Sequence, residues 1–340
     1  MTEVESVPVL RRFGGRLATA AGPVLSFLRS VFVPVVLVAA MAAVAFAFGR
    51  RELLFPEYGA LTAGVLSWRL PPWTARPVDI FVLPALAALL GVGLNLSRIP
   101  FAIAWGVGLG VILYLLRVAR SHMVPSISAV LLPLLLHFTS LLYPLAVAGT
   151  SLVLCVIAFF RKNGAAPAPR IPQPPIRLVG TYWALAMIVG LLACYAGPRY
   201  LAAPPILVAL LELMKTKADR GFAKLAGLVA ASAIGVCLYA LIPNWALCGI
   251  AVFLCVFLVC RALRIVLPPA LALGILPMLI RENQQLDFLA GTAAGALLII
   301  GGATIFFRAS SASKTQEVPV TAAIPVPRPS LDEVSIHGGP

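Results

Sequence analysis

Charge is what this sequence has least of. Of 340 residues, 12 are Asp or Glu and 26 are Lys or Arg, so 11% of the chain is charged, against about a quarter in soluble domains. With 61% hydrophobic residues and a mean hydropathy of +1.01, that scarcity excludes an ordinary soluble domain. The six cysteines (Cys155, Cys194, Cys237, Cys248, Cys255, Cys260) include no C-x-x-C pair and all lie in apolar stretches. They read as small hydrophobes, neither a disulfide framework nor a metal site. No Walker loop, His/Cys metal spacing or Ser-His-Asp set in a polar loop is present. The chain is therefore expected to be no enzyme and to carry no cofactor. Nor does any apolar segment hold a carboxylate near its centre, which argues against a proton pump built on a mid-helix acid.

What remains is apolar sequence in long runs. Residues 31–49, 78–96, 99–116, 141–160, 178–196, 222–242, 245–260 and 288–307 approach or reach the roughly 17–25 residues of a bilayer span. They define an all-α polytopic membrane protein. Its formal net charge of +14 is scattered between the spans, which is how Lys and Arg hold cytoplasmic loops and unlike the clustered face of a nucleic-acid binder. Arg11, Arg12, Arg16 and Arg29 precede the first run, and Ala45-Phe46-Ala47 imitates a signal-peptidase site. An internal repeat argues for keeping that run as a mature helix.

Sliding the chain by 144 residues superposes Gly91-Val92-x-Leu94 on Gly235-Val236-x-Leu238, Arg117 on Arg261, Arg120 on Arg264, Pro125 on Pro269, and Leu132-Pro133-x-Leu135 on Leu276-Pro277-x-Leu279. No gap is needed, and 91–137 keeps ten identities in 47 positions. Each half then reads as a long run, a short proline-headed segment (53–68; 201–214), two long runs, a second short segment (124–138; 266–280) and a last long run. The expected organisation is a basic N-terminal segment (1–30), two membrane repeats (31–160 and 178–307), a Pro-rich basic linker (161–177) and a disordered tail (308–340).

The positive-inside rule decides whether the short segments cross. If all twelve segments cross and the N-terminus is inside, 21 of the 26 basic residues lie inside and five (Arg50, Arg51, Arg98, Arg199, Arg281) outside. If the short segments turn back, the split is 12 to 14. Twelve crossings follow, with both termini cytoplasmic in a cell inner membrane. The halves are then parallel repeats about an axis along the membrane normal. At about 1.5 Å per residue the short segments reach only some 20–24 Å against a core of about 30 Å, so they begin or end inside the protein.

The run "ARPVDIFVLPALAALLGV" (75–92), followed by Ser121-His122-Met123-Val124-Pro125, resembles the HPP family of membrane proteins, whose unit leads from an A-x-P stretch to a His-Pro-Pro helix start. Leu267-Pro268-Pro269-Ala270 looks like the same motif in the second half. Leu267 stands there where the family has its histidine, and the first half has Met123, with His122 one place early. The resemblance implies a transporter, with small anions such as nitrite as substrates. A weaker resemblance is to fusaric-acid-resistance-type exporters of aromatic acids, which also pair short and long helices.

A helix start carries about half a positive charge and unpaired N–H groups, which favour an anion. Arg117, Arg120 and His122 before Pro125, and Arg261 and Arg264 before Pro268 and Pro269, thus form the candidate substrate site. The competing reading is that these arginines end helices and snorkel to anionic inner-leaflet lipid. Glu57, beside Pro56, reads as a dipole partner at the outer edge or as a proton-coupling carboxylate. Asn95 and His137 read as polar groups hydrogen-bonded between helices. The functional expectation is a small-anion permease with its pathway between the halves. The alternatives are a non-transporting scaffold or an aromatic acid exporter.

Overall fold

The computed structural model describes residues 8–162, 172–195, 199–216 and 219–308, with side chains from Leu28 onward. The expected disordered tail from 309, the middle of the linker (163–171), and the side chains of Arg11, Arg12 and Arg16 lie outside the described residues. Among the described residues the chain is helical and contains no strand. The helices are α1 (Pro8–Ala47), α2 (Glu57–Thr62, continued by a π turn to Ser67), α3 (Pro71–Thr74), α4 (Pro77–Leu96), α5 (Phe101–Val118), α6 (Pro125–Leu136) and α7 (Leu142–Lys162). They are followed by α8 (Ile176–Tyr195), α9 (Pro204–Lys215), α10 (Gly221–Leu241), α11 (Trp245–Ala262), α12 (Pro268–Ile275, continued by a 3₁₀ turn to Leu279) and α13 (Gln285–Gly295, running on through a π turn to the helix end near Arg308).

Eight of these helices are long and apolar enough to cross a membrane, and they coincide with the eight apolar runs read from the sequence. The protein is a multi-pass membrane protein. Positions 144 apart bound the same helices: α5 and α11 both start and end at that offset, and α4 and α10 start at it.

Proline sets the starts and arginine sets several of the turns. Prolines occupy the first positions of α3, α4, α6, α9 and α12, where a missing N–H costs nothing and φ is already helical. Of the six non-glycine residues with positive φ among those described, five are arginines (Arg69, Arg98, Arg120, Arg220, Arg264) and the sixth is His137. After α5, Arg120 turns left-handed (φ 50) and the Ser121 N–H returns to the Leu116 carbonyl at 2.9 Å. After α11, Arg264 does the same (φ 54), with the Ile265 N–H on Cys260 O at 2.9 Å. Such a turn caps the last carbonyls of a helix. Here it also leaves a guanidinium at the helix end.

The short helices start half-way along their long neighbours. Gly91 of α4 faces the Val130 carbonyl and Pro133 of α6, and Asn95 Nδ2 donates to Pro133 O (3.3 Å) and Phe138 O (2.9 Å). The two helices are therefore parallel, and Pro125 stands level with the middle of α4. Gly235 meets Gly274 O and Pro277 in the same way, which puts Pro269 beside the middle of α10. In α2, Ser67 Oγ donates to Ser30 O at 2.8 Å near the start of the α1 span, while Phe55 N–H reaches Met41 Sδ at 3.3 Å. Glu57 therefore lies near the middle of that span too. Non-helical segments at 54–55, 121–123 and 265–267 carry the chain to these starts, and the short helices carry it on.

The two halves exchange elements. α1 packs chiefly on α11, and α2 on α12, whereas α8 packs on α5, and α9 on α6. At the α5–α8 seam, Trp105 Nε1 donates to Ala186 O and Trp183 Nε1 to Gly106 O, each at 3.2 Å. At the α1–α11 seam Gly249, which stands 144 positions after Trp105, lies against Val38 and Ala42.

Candidate functional site

Where the short helices begin, their first turns enclose a narrow cavity lined by Glu57 and Ala60 of α2, Pro125 and Ser128 of α6, Pro205 and Val208 of α9, Pro269 and Ala272 of α12, and Trp73. Each helix contributes a first-turn residue and the one three places on, so one face of all four starts meets at this point. At about 10 Å³ the cavity is roughly the size of one water. Glu57 is 2% exposed, and its carboxylate lies alongside the Ser128 hydroxyl. Among the described residues, however, neither Glu57 oxygen, nor Ser126 Oγ, nor Ser128 Oγ completes a hydrogen bond.

Trp73, Val208 and Pro269 also form the floor of a larger cavity of about 450 Å³. Its walls carry His122, Gln173, Glu212, Lys215, Thr216 and Lys224, set among Leu70, Leu178, Leu267 and several prolines. Lys215 is paired with Glu212 at 3.1 Å, and Lys224 Nζ donates to Thr216 Oγ1 at 3.2 Å. With two lysines and a histidine to one carboxylate, this vestibule favours anions. Near Glu57 lies a packed aromatic cluster: Tyr143 stands edge-on to Phe55 at 6.4 Å and against Phe138 at 5.5 Å, with Phe55 and Tyr143 fully buried. The vestibule lies at the end of the bundle that holds Arg117, Arg120 and Arg264.

The expected site residues divide. Pro125 and Pro269 line the inner cavity, and His122, Pro268 and Pro269 line the vestibule. Arg117, Arg120, Arg261 and Arg264 are exposed and line neither. Arg117 Nη1 donates to Pro174 O at 3.1 Å. The expected backbone donors need correction. The prolines remove the first N–H groups, and the next ones turn back on the chain: Ser126 to Met123 O, Ile127 to Val124 O, Ile206 to Ala203 O and Ala270 to Leu267 O, all within 3.1 Å. These starts bring partial positive charge without free donors.

Sequence reading placed Glu57 at the outer edge and found no carboxylate at mid-membrane. The structure puts it in the centre of the bundle. The available signal was a Pro-Glu pair heading a short segment whose other residues are apolar. Asn95 is hydrogen-bonded between helices, as expected. His137 instead forms the left-handed end of α6 and lines a separate recess with Arg199 and Phe101. Among the described residues, no group of His, Cys, Asp or Glu could hold a metal ion.

The class these features define is an all-helical, multi-pass membrane protein whose broken helices meet at a buried polar centre. No known family model, curated protein or solved structure matches the chain.

Proposed function

We propose that the chain is a membrane transporter or permease for a small anion, built as two parallel six-element halves that make twelve crossings, with its pathway between the halves. The observation that carries this reading is the funnel. A vestibule with Lys215, Lys224 and His122 in its walls narrows, past Trp73, to the point where the starts of four broken crossings converge. Discontinuous helices meeting at mid-depth are how transporters place a site without exposing backbone to lipid.

Twelve crossings are supported by the course of the chain around α6: it leaves the α5 end, where Arg76 Nη1 at the start of α4 donates to Ala119 O, and reaches the opposite end of α4, where Asn95 Nδ2 donates to Phe138 O. The 21 to 5 split of basic residues supports a cytoplasmic vestibule end and cytoplasmic termini, in a cell inner membrane. Exposed Arg117, Arg120, Arg261 and Arg264 then form a collar that meets anionic lipid headgroups and draws anions toward the mouth.

The resemblance to the HPP family makes nitrite and nitrate the first probes. The apolar share of the vestibule wall adds an aromatic carboxylate such as benzoate. Purified protein in liposomes should take up at least one of these anions faster than protein-free liposomes do. Absence of uptake across the panel would favour a scaffold that binds lipid or a partner through its basic face.

A further inference from the structure

A carboxylate sunk in a protein within a membrane carries a proton, faces a cation, or marks a functional pathway. Glu57 faces no cation. The elements packed against α2 are α1, α6, α7 and α12, and α9 completes the cavity. From α1 comes Met41, whose sulfur accepts from the Phe55 N–H, from α12 Pro269 and Ala272, and from α9 Pro205 and Val208; none of these titrates. α6 presents the Ser128 hydroxyl. α7 presents the Tyr143 phenol, which is buried, without a hydrogen-bond partner among the described residues, and close enough to interact electrostatically with Glu57. The nearest charged and titratable groups on the vestibule side (His122, Glu212, Lys215, Lys224) lie beyond Trp73, Val208 and Pro269.

From this geometry we infer that Glu57 is a proton-carrying substrate contact, and that the permeating anion crosses the inner cavity together with one proton held at this carboxyl. The inference rests on the permease reading. At the starts of α6, α9 and α12 the first backbone N–H groups are absent or turned back on the chain, so an anion arriving from the vestibule needs a donor from a side chain. Protonated Glu57 offers an O–H at that point. Deprotonated Glu57 offers a like charge in a space too small to hold both. Water in the vestibule delivers the proton to a Glu57 oxygen, the anion accepts the hydrogen bond, and proton and anion leave together toward the opposite end of the bundle. The carboxylate is then ready to be reprotonated. For a monovalent anion, anion and proton together move no net charge, and no other reactant is required.

Three readouts on liposomes test this: uptake of the transported anion as a function of pH, lumenal pH followed with a trapped dye, and the same two with Glu57→Gln and Glu57→Ala. For the parent, uptake should rise as pH falls and the lumen should acidify with the anion. Glu57→Gln keeps a neutral donor of the same shape, so its uptake should persist while the pH dependence flattens and the acidification disappears. Glu57→Ala removes the donor and should lower uptake at least tenfold. If the parent transports an anion without moving protons, or Glu57→Gln keeps the parent's pH dependence, the inference fails and the permease reading stands. If the parent transports no anion of the panel, both fail. Should Glu57→Gln not fold, proton movement in the parent decides alone.

Discussion

Gly91 and Gly235 show how single positions hold the bundle together. A Cβ at either would meet a backbone carbonyl, Val130 O or Gly274 O, and the ring of Pro133 or Pro277. None of these neighbours has a flexible end that can swing away. Replacing either glycine by Ala should therefore cost about 1–3 kcal/mol, as overpacking of cores does. Gly93→Ala, where nothing lies within 4 Å, should be neutral; thermal unfolding followed by size-exclusion chromatography separates the two cases. The exposed arginines make a different prediction. A guanidinium that only steers anions is replaceable by another cation, so Arg120→Lys and Arg264→Lys should transport like the parent. The Gln variants should need more anion for half-maximal uptake at low ionic strength, and the difference should vanish near 1 M salt, where the screening length is about 3 Å.

Among the elements, the four-residue α3 has the clearest task. Its Trp73 is buried, lies between vestibule and inner cavity, and fills the space beside Gly64. Trp73→Ala should join the two cavities, raising anion flux several-fold while reducing discrimination between nitrate and benzoate in the liposome assay. The long helices were legible in the sequence because about twenty apolar residues in a row have few alternatives, and α5 and α11 begin and end 144 residues apart. The short helices were legible as proline-headed segments. The depth of their starts was not: the approach through Leu54 and Phe55 places Glu57 at mid-bundle, and two or three non-helical residues in an apolar chain give no periodicity to read. Equally hidden was the loss of backbone donors, since a proline start signals a helix N-terminus but also removes the N–H groups that make such an end attractive to an anion.

At the scale of the whole molecule, the arrangement of crossings can be tested directly. With the six native cysteines replaced by alanine, single cysteines at Ser97 and at Asn244 should react with a membrane-impermeant maleimide added outside intact cells. One at Ala262 should react only after the membrane is opened, and labelling of all three from the same side would overturn twelve crossings. The exchange of elements between the halves has a further consequence for how the protein is made. α1 leaves the ribosome first, yet its main packing surface, α11, is about 200 residues further along. At about 5–20 residues per second, that surface emerges some 10–40 s later. In this interval α1 must rest in lipid unaided, which its apolar window, the most hydrophobic of the eight, allows. The segment bearing Glu57 has no such refuge until α12 has been synthesised. The insertion machinery, or the water of the headgroup layer, must shelter that acid until the last third of the chain arrives, so translation speed is itself a determinant of the yield of correctly assembled protein.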